Sequence, residues 1–127
     1  MDRRKLESLM REFGKAYFNA DNAGLRACTT EDFEWHQHCG RDAPDGRILR
    51  GVEAVCAEIR RRKREWRKVK YDNFENHYSS TLITSTFYVS GIDEKDRPFN
   101  VRAVDLYPIR DGKIMRKDSF WKQIQES

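Results

Sequence analysis

Long apolar runs are missing from this sequence of 127 residues. The longest stretch free of charge, Tyr78 to Ile92, is rich in Ser and Thr and too short to span a bilayer. Charges also fill Met1 to Lys15, where a signal peptide would need an apolar core. A soluble, cytoplasmic protein with no membrane partner is expected. Cysteine is scarce and odd in number: Cys28, Cys39 and Cys56, with no CxxC spacing, suggest neither a disulfide framework nor a zinc site of cysteines. Repeats, linkers and low-complexity tails are absent too, and the length suits one domain over residues 1–127. Leu, Ile, Val and Phe together number only 26, close to the level where chains stop folding. A net charge of only +4 and 15 aromatic residues spread along the chain nevertheless favour a folded protein. The expected result is a thin core under a heavily charged surface.

The basic excess is local. Eight bases and a single acid, Glu65, lie between Arg60 and Lys70, and in the rest of the chain 17 bases face 20 acids. A run of this kind could hold phosphates. It also falls at the end of an expected helix, where cations oppose the helix dipole, and only Trp66 interleaves it with an aromatic. The run is therefore read as a solvated helix end, and no nucleic-acid partner is expected.

Leu6, Leu9, Met10, Phe13, Tyr17 and Ala20 fall on one stripe of an amphipathic helix. Asp21 can cap a short second helix holding Leu25 and Cys28. From Asp32 to Cys39 the pattern alternates, with Phe33, Trp35, Gln37 and Cys39 on one face and Glu34, His36 and His38 on the other. Ala43-Pro44-Asp45-Gly46 reads as a turn, and Gly51 opens a third helix whose apolar side carries Val52, Val55, Cys56, Ile59 and Trp66. A period of two then predicts strands near Lys68–Tyr78, Thr81–Ile92, Phe99–Ile109 and Lys113–Ile124. Helices followed by a strand meander define an α+β chain. A curved, mainly antiparallel sheet wrapped around the long first helix must enclose an interior, and such interiors are usual ligand sites.

Five segments stand together: Leu9-Met10 through Asn19-Ala20-Asp21, Glu31-Asp32-Phe33-Glu34-Trp35-His36, Gly51-Val52-Glu53-Ala54-Val55, Val104-Asp105-Leu106-Tyr107 and Asp111-Gly112-Lys113-Ile114. On these residues the chain resembles the nuclear transport factor 2-like superfamily in its SnoaL-like branch, which is related to ketosteroid isomerases and limonene-epoxide hydrolases. The resemblance implies a cone-shaped α+β barrel with a pocket at its open end and a dimer formed through the outer sheet face. It also implies departures. A gapless pairing puts the isomerases' basic aspartate at Gln37 and their oxyanion-hole tyrosine at Phe13. Only a second oxyanion-hole acid survives, as Asp105. The last-strand aspartate of the hydrolases and cyclases falls on Ser119. None of those three activities is expected by its usual route, since Gln37 cannot shuttle a proton and Phe13 has no hydroxyl.

Asp105 sits in an otherwise apolar alternation, Phe99, Val101, Ala103, Asp105, Tyr107 and Ile109. A buried carboxylate must find a partner or become neutral, and either outcome suits an active site. A two-residue hairpin at Asp111-Gly112 would set Asp105 opposite Asp118; a three-residue loop would set it opposite Lys117, with Ser119 and Trp121 also facing inward. The second register is preferred because it supplies a counter-charge. Asp105 and Lys117 are thus the expected catalytic pair, Asp105 stabilising an oxyanion and Lys117 tuning its charge. Gln37, Ser119 and Tyr17 would orient a ligand between walls of Phe13, Trp35 and Trp121.

His36 and His38 point the same way on the outer face, and Glu34 beside them could complete a facial metal site. Spacing by itself does not specify a metal, and neither a metal nor any other cofactor is expected. Apolar Leu82, Tyr88, Val104 and Leu106 on that outer face point to a homodimer. The expected function is a pocket for a small hydrophobic molecule, with isomerase, cyclase or dehydratase chemistry on a carbonyl-bearing substrate. The alternative is a non-catalytic binding or dimerisation module of the same fold.

Overall fold

A computed structural model describes residues 1–39 and 44–123. The chain runs α1 (Arg3–Phe18), α2 (Asn22–Cys28), β1 (Thr29–His38), β2 (Arg47–Arg50), α3 (Val52–Glu65), β3 (Arg67–Ser79), β4 (Leu82–Ile92), β5 (Pro98–Arg110) and β6 (Lys113–Trp121). Local chemistry sets the helix ends. Asp2 accepts a hydrogen bond from the Lys5 amide at 2.9 Å, and Asp21 accepts one from the Gly24 amide at 3.1 Å. Ala20 turns the chain between the two helices in the left-handed region, with φ of 49°. No described helix is long and apolar enough to cross a membrane.

The six strands form one sheet in the order β2-β1-β6-β5-β4-β3. Every neighbouring pair is antiparallel except β1 and β6, which run parallel. The sheet curves around α1, whose Leu6, Leu9, Phe13 and Tyr17 join Phe33, Trp35, Ile83, Tyr107 and Ile114 in the main core. It does not close: β2 and β3 are the two edges, so the cone is an open one and not a true barrel. Two bulges bend β3, with Lys68 and Asn73 both at φ of 55°.

Three local expectations need correction. Arg47–Arg50 forms an edge strand, Leu49 pairing with Trp35, where only a turn followed by a helix is predicted. Its four residues are too short to display an alternation. Of the predicted turn, Ala43 lies outside the described residues, as does Ile124 at the end of the last predicted strand. Trp66 is not on the apolar side of α3 but ends it, and its ring packs on Phe99 and Trp121.

The third correction concerns the basic run, which is not a uniformly solvated helix end. Glu58, buried on α3, accepts hydrogen bonds from Arg61 Nε at 2.7 Å, Arg62 Nε at 3.1 Å and Gln37 Nε2 at 3.2 Å. Arg60 reaches the Ala20 carbonyl, and Lys63 the Phe18 carbonyl. Arg60 and Lys63 thus tie α3 to the end of α1, and the half-buried Arg61 and Arg62 hold the Glu58 that takes the Gln37 amide of β1; Arg64, Arg67, Lys68 and Lys70 are exposed without such a role in fastening α3.

Burial pushes the Glu58 carboxyl upward, but the hydrogen bonds of Arg61 and the charge of Arg62 win and hold it down to about 2. A carboxyl lowered on folding stabilises the protein above its unfolded value of about 4.3, and that contribution fades as pH falls through its folded value. Glu58→Gln should therefore cost about 2–3 kcal/mol at neutral pH. It should also flatten the acid limb of stability between about pH 4.5 and 2. Urea denaturation across that range measures both; an acid limb unchanged from the parent protein would remove Glu58 as its source.

Candidate functional site

Between α1 and the concave face of the sheet lies a cavity of about 420 Å³. Its walls are mainly aromatic: Phe13 and Tyr17 from α1, Trp35 from β1, Tyr71 and Phe74 from β3, Phe87 from β4, Tyr107 from β5 and Trp121 from β6. Phe13 packs edge-on against Tyr107 with centroids 5.2 Å apart, and Tyr17 packs edge-on against Trp35 at 5.6 Å. Such contacts fix the rings of the wall, so the cavity shape does not depend on a ligand to order it.

Asp105 and Lys117 meet at the base of this wall. Lys117 Nζ donates to Asp105 Oδ2 at 2.7 Å and to the Tyr107 hydroxyl at 2.9 Å, and that hydroxyl donates to the same Oδ2 at 3.0 Å. Asp105 is 3% exposed and Lys117 5%. Burial drives the Lys117 ammonium down from its usual range, and the Asp105 carboxylate pulls the other way. Rings of Tyr17, Tyr107 and Trp35 lie 4.4, 5.1 and 5.6 Å from Nζ, so the cation trades water for aromatic faces. Burial, reinforced by Asp105, also raises the Tyr107 phenol well above its ordinary value, which keeps it a proton donor. The other carboxylate oxygen, Asp105 Oδ1, is buried and takes no hydrogen bond from the described residues.

The register that produces this contact differs from the expected one. Asp111 and Gly112 form a two-residue hairpin at φ of 53° and 73°, with Arg110 paired to Lys113. That turn alone would bring Asp118 opposite Asp105. A slip between Leu106 and Ile109, around Pro108, which has no N–H to donate, restores the phase and sets Asp105 opposite Ser119. Lys117 is then not the opposite residue but a diagonal neighbour on the same face, near enough for its long side chain.

Phe13, Tyr17, Trp35, Asp105, Lys117, Ser119 and Trp121 all line the one cavity. Gln37 does not; although buried on the same face of β1 as Trp35, its amide donates to Glu58 of α3. Ser119 accepts a hydrogen bond from Trp35 Nε1 at 2.9 Å. Among the lining residues that the sequence reading did not single out are Tyr107, Arg62, Ser85 and Tyr71. Tyr107 follows Asp105 by two residues on the same strand face, a period-two signal that was available. Arg62 stands 4.8 Å over the Trp35 ring and 4.4 Å over Trp66. Its position four and seven residues after Glu58 and Val55 was masked by the charges around it. Ser85, buried and opposite Asp105, follows only from the β4–β5 register, and Tyr71 only from the bulges of β3. A second titratable group, His36, His38 and Asp118, lies on the opposite side of the sheet.

Residues 10–117 match the family of the SnoaL-like domain. Comparison with curated proteins gives no significant match. Among solved structures, a nuclear transport factor 2-like protein from Burkholderia xenovorans LB400 is similar with a TM-score of 0.79 and 20% identity, covering 96% of this chain and 92% of that one. A candidate polyketide cyclase from Xanthomonas campestris pv. campestris has a TM-score of 0.70 and 16% identity, over 94% and 92% of the two chains. A protein of ketosteroid isomerase-like fold from Catenulispora acidiphila, in complex with trimethylamine, has a TM-score of 0.69 and 15% identity, over 90% and 85%. These likenesses concern the fold, an α+β cone of the nuclear transport factor 2-like type.

Removing one member of a buried ion pair leaves the other charge uncompensated. Asp105→Asn should therefore destabilise the protein by about 3–5 kcal/mol. Adding Lys117→Met should regain much of that loss, since a packed apolar group can replace a buried ionic one. Calorimetric melting of the three proteins checks this, and an Asp105→Asn protein that melts like its parent would show the pair to be uncoupled.

Proposed function

The chain belongs to the SnoaL-like domain family, a family of small-molecule-binding folds, and on that footing we propose that its cavity is an active site for acid–base chemistry. The substrate class is a hydrophobic molecule bearing a carbonyl group, and the reaction an isomerisation, cyclisation or dehydration. One observation carries the reading. Asp105 is a buried carboxylate in the lining of an aromatic cavity, with one oxygen tied to Lys117 and Tyr107 and the other without a partner among the described residues.

Lys117 and Tyr107 both donate to Oδ2, so the free oxygen is Oδ1. We read Asp105 as a proton acceptor through that oxygen, where the sequence suggests an oxyanion stabiliser. Oδ1 would take a proton from the carbon next to the substrate carbonyl and return it to another position. The negative charge growing on the carbonyl oxygen would be met by donors in the same wall, the Ser85 and Ser119 hydroxyls and the Arg62 guanidinium. Lys117 would hold Asp105 oriented, while Phe13, Tyr17, Trp35 and Trp121 enclose the apolar body. Residues 1–127 would form one such domain. The three cysteines are free, which fits a reducing compartment such as the cytoplasm.

The Asp105→Asn, Lys117→Met double variant separates chemistry from stability. After thermal-shift screening of ketones and hydroxy-aromatics identifies a binder, proton exchange at the carbon beside its carbonyl is followed by NMR in heavy water. Exchange should be catalysed by the parent protein and lost in the folded double variant. Binding without catalysed exchange in the parent would assign the cavity to a non-catalytic binding module instead.

The outer sheet face supports a homodimer. Leu82, Val104 and Leu106 are only half-buried there, and Tyr88 and Phe120 are each 41% exposed. Sedimentation equilibrium should find a species of twice 15.1 kDa at micromolar concentration. A purely monomeric protein would overturn the assignment.

A further inference from the structure

On the outer face, away from the cavity, β1 and β6 bring together two imidazoles and a carboxylate that the chemistry above does not use. We propose that His36, His38 and Asp118 form a zinc site that fastens these two strands together. The parallel register sets His36 directly beside Asp118, and the pleat returns His38 to the same face two residues on. One donor atom from each residue lies within 4.8 Å of the others. His36 Nδ1 is 3.8 Å and His38 Nε2 3.7 Å from the same oxygen, Asp118 Oδ1. Both separations exceed a hydrogen bond. Ligands of a tetrahedral zinc ion at ~2.1 Å stand about 3.3 Å apart, so a small inward movement closes the site.

The surrounding contacts orient each donor. His36 Nε2 lies 2.9 Å from Glu34 Oε1, which leaves Nδ1 as the ring nitrogen facing Asp118 Oδ1 at 3.8 Å. Carboxylates on the far nitrogen of a ligating histidine are the usual support of a zinc ligand. Glu34 is thus not the third ligand that the sequence offered but the partner behind His36, and Asp118 takes the ligand role. Arg116 Nε holds Asp118 Oδ2 at 2.7 Å and Arg50 Nε holds Glu34 Oε2 at 3.1 Å, which leaves the other oxygen of each acid for the histidine pair. The His38 ring lies flat on Phe120, centroids 4.2 Å apart and planes 5° from parallel.

Two imidazoles and one carboxylate are a donor set suited to zinc, with water in the fourth position. The three ligand side chains are 17%, 20% and 12% exposed in the single chain, and the site borders the Leu106 and Phe120 patch proposed above for the dimer. It needs no residue from a second copy. Asp118 lies between Lys117 and Ser119, both of which face the cavity, so an ion here would brace the strand that carries them.

Calorimetric titration of the metal-stripped full chain with zinc sulfate tests the site. One equivalent per chain should bind and raise the melting temperature. Glu34→Gln should weaken binding by about 10-fold, and His38→Ala should weaken it further. Cys39→Ser controls for the neighbouring thiol and should leave the affinity unchanged. His38, partly exposed and not part of the core, keeps the test valid even where Asp118→Asn fails to fold. No uptake, uptake that survives His38→Ala, or uptake lost in Cys39→Ser would each overturn the proposal.

Discussion

The buried pair of Lys117 and Asp105 constrains everything around it. Taking an ammonium and a carboxylate out of water costs several kcal/mol per ion after relaxation, and their mutual attraction offsets this only when the geometry is good and the remaining polar atoms are matched. Around Lys117 the matching is complete: Asp105 and Tyr107 accept its protons, and three aromatic faces surround the rest of the charge. Around Asp105 it is not, because Oδ1 has no partner among the described residues. The asymmetry is what gives the cavity chemical character. One oxygen secures the pair, and the other keeps a capacity to bind a proton or a donor from outside the chain.

That arrangement depends in turn on how α3 is fastened. Glu58 gathers Arg61, Arg62 and Gln37, and through Gln37 the helix is tied to the strand that carries Trp35. Arg62 consequently serves two ends: it neutralises Glu58, and its guanidinium covers Trp35 and Trp66 at the cavity wall. The same strand presents Trp35 to the cavity and His36 to the outer face, so alternation along β1 divides two chemistries between two sides of one sheet.

The elements with strong periodicity were legible from the residues. The α1 stripe, the Asp21 cap and the alternations of β1, β4, β5 and β6 follow from side-chain spacing over a few residues, which is a local property. β2 was not legible, since four residues do not display a period. Candidate residues divided the same way. Asp105 stood out because a carboxylate in an apolar alternation needs a partner, and Ser119 and Trp121 followed from phase. Gln37 had the right phase but lies where β1 meets α3, and its amide is taken up by Glu58. Whether an inward polar group meets a cavity or another side chain depends on which element covers it, and that is a non-local fact.

The sequence by itself determined which faces are apolar, where helices begin and that Asp105 would be buried in the strand that carries it, because these depend on periods and on the cost of burying charge. Tertiary structure decided the pairings. A proline-centred slip after a two-residue turn, and not the length of the turn, put Ser119 opposite Asp105 and brought Lys117 within 2.7 Å on the diagonal. The parallel contact of β1 with β6 placed Asp118 beside His36 although 81 residues lie between them in the chain. Strand register, bulges and helix docking are set by the sum of many weak contacts over the whole sheet, so no short stretch of residues encodes them.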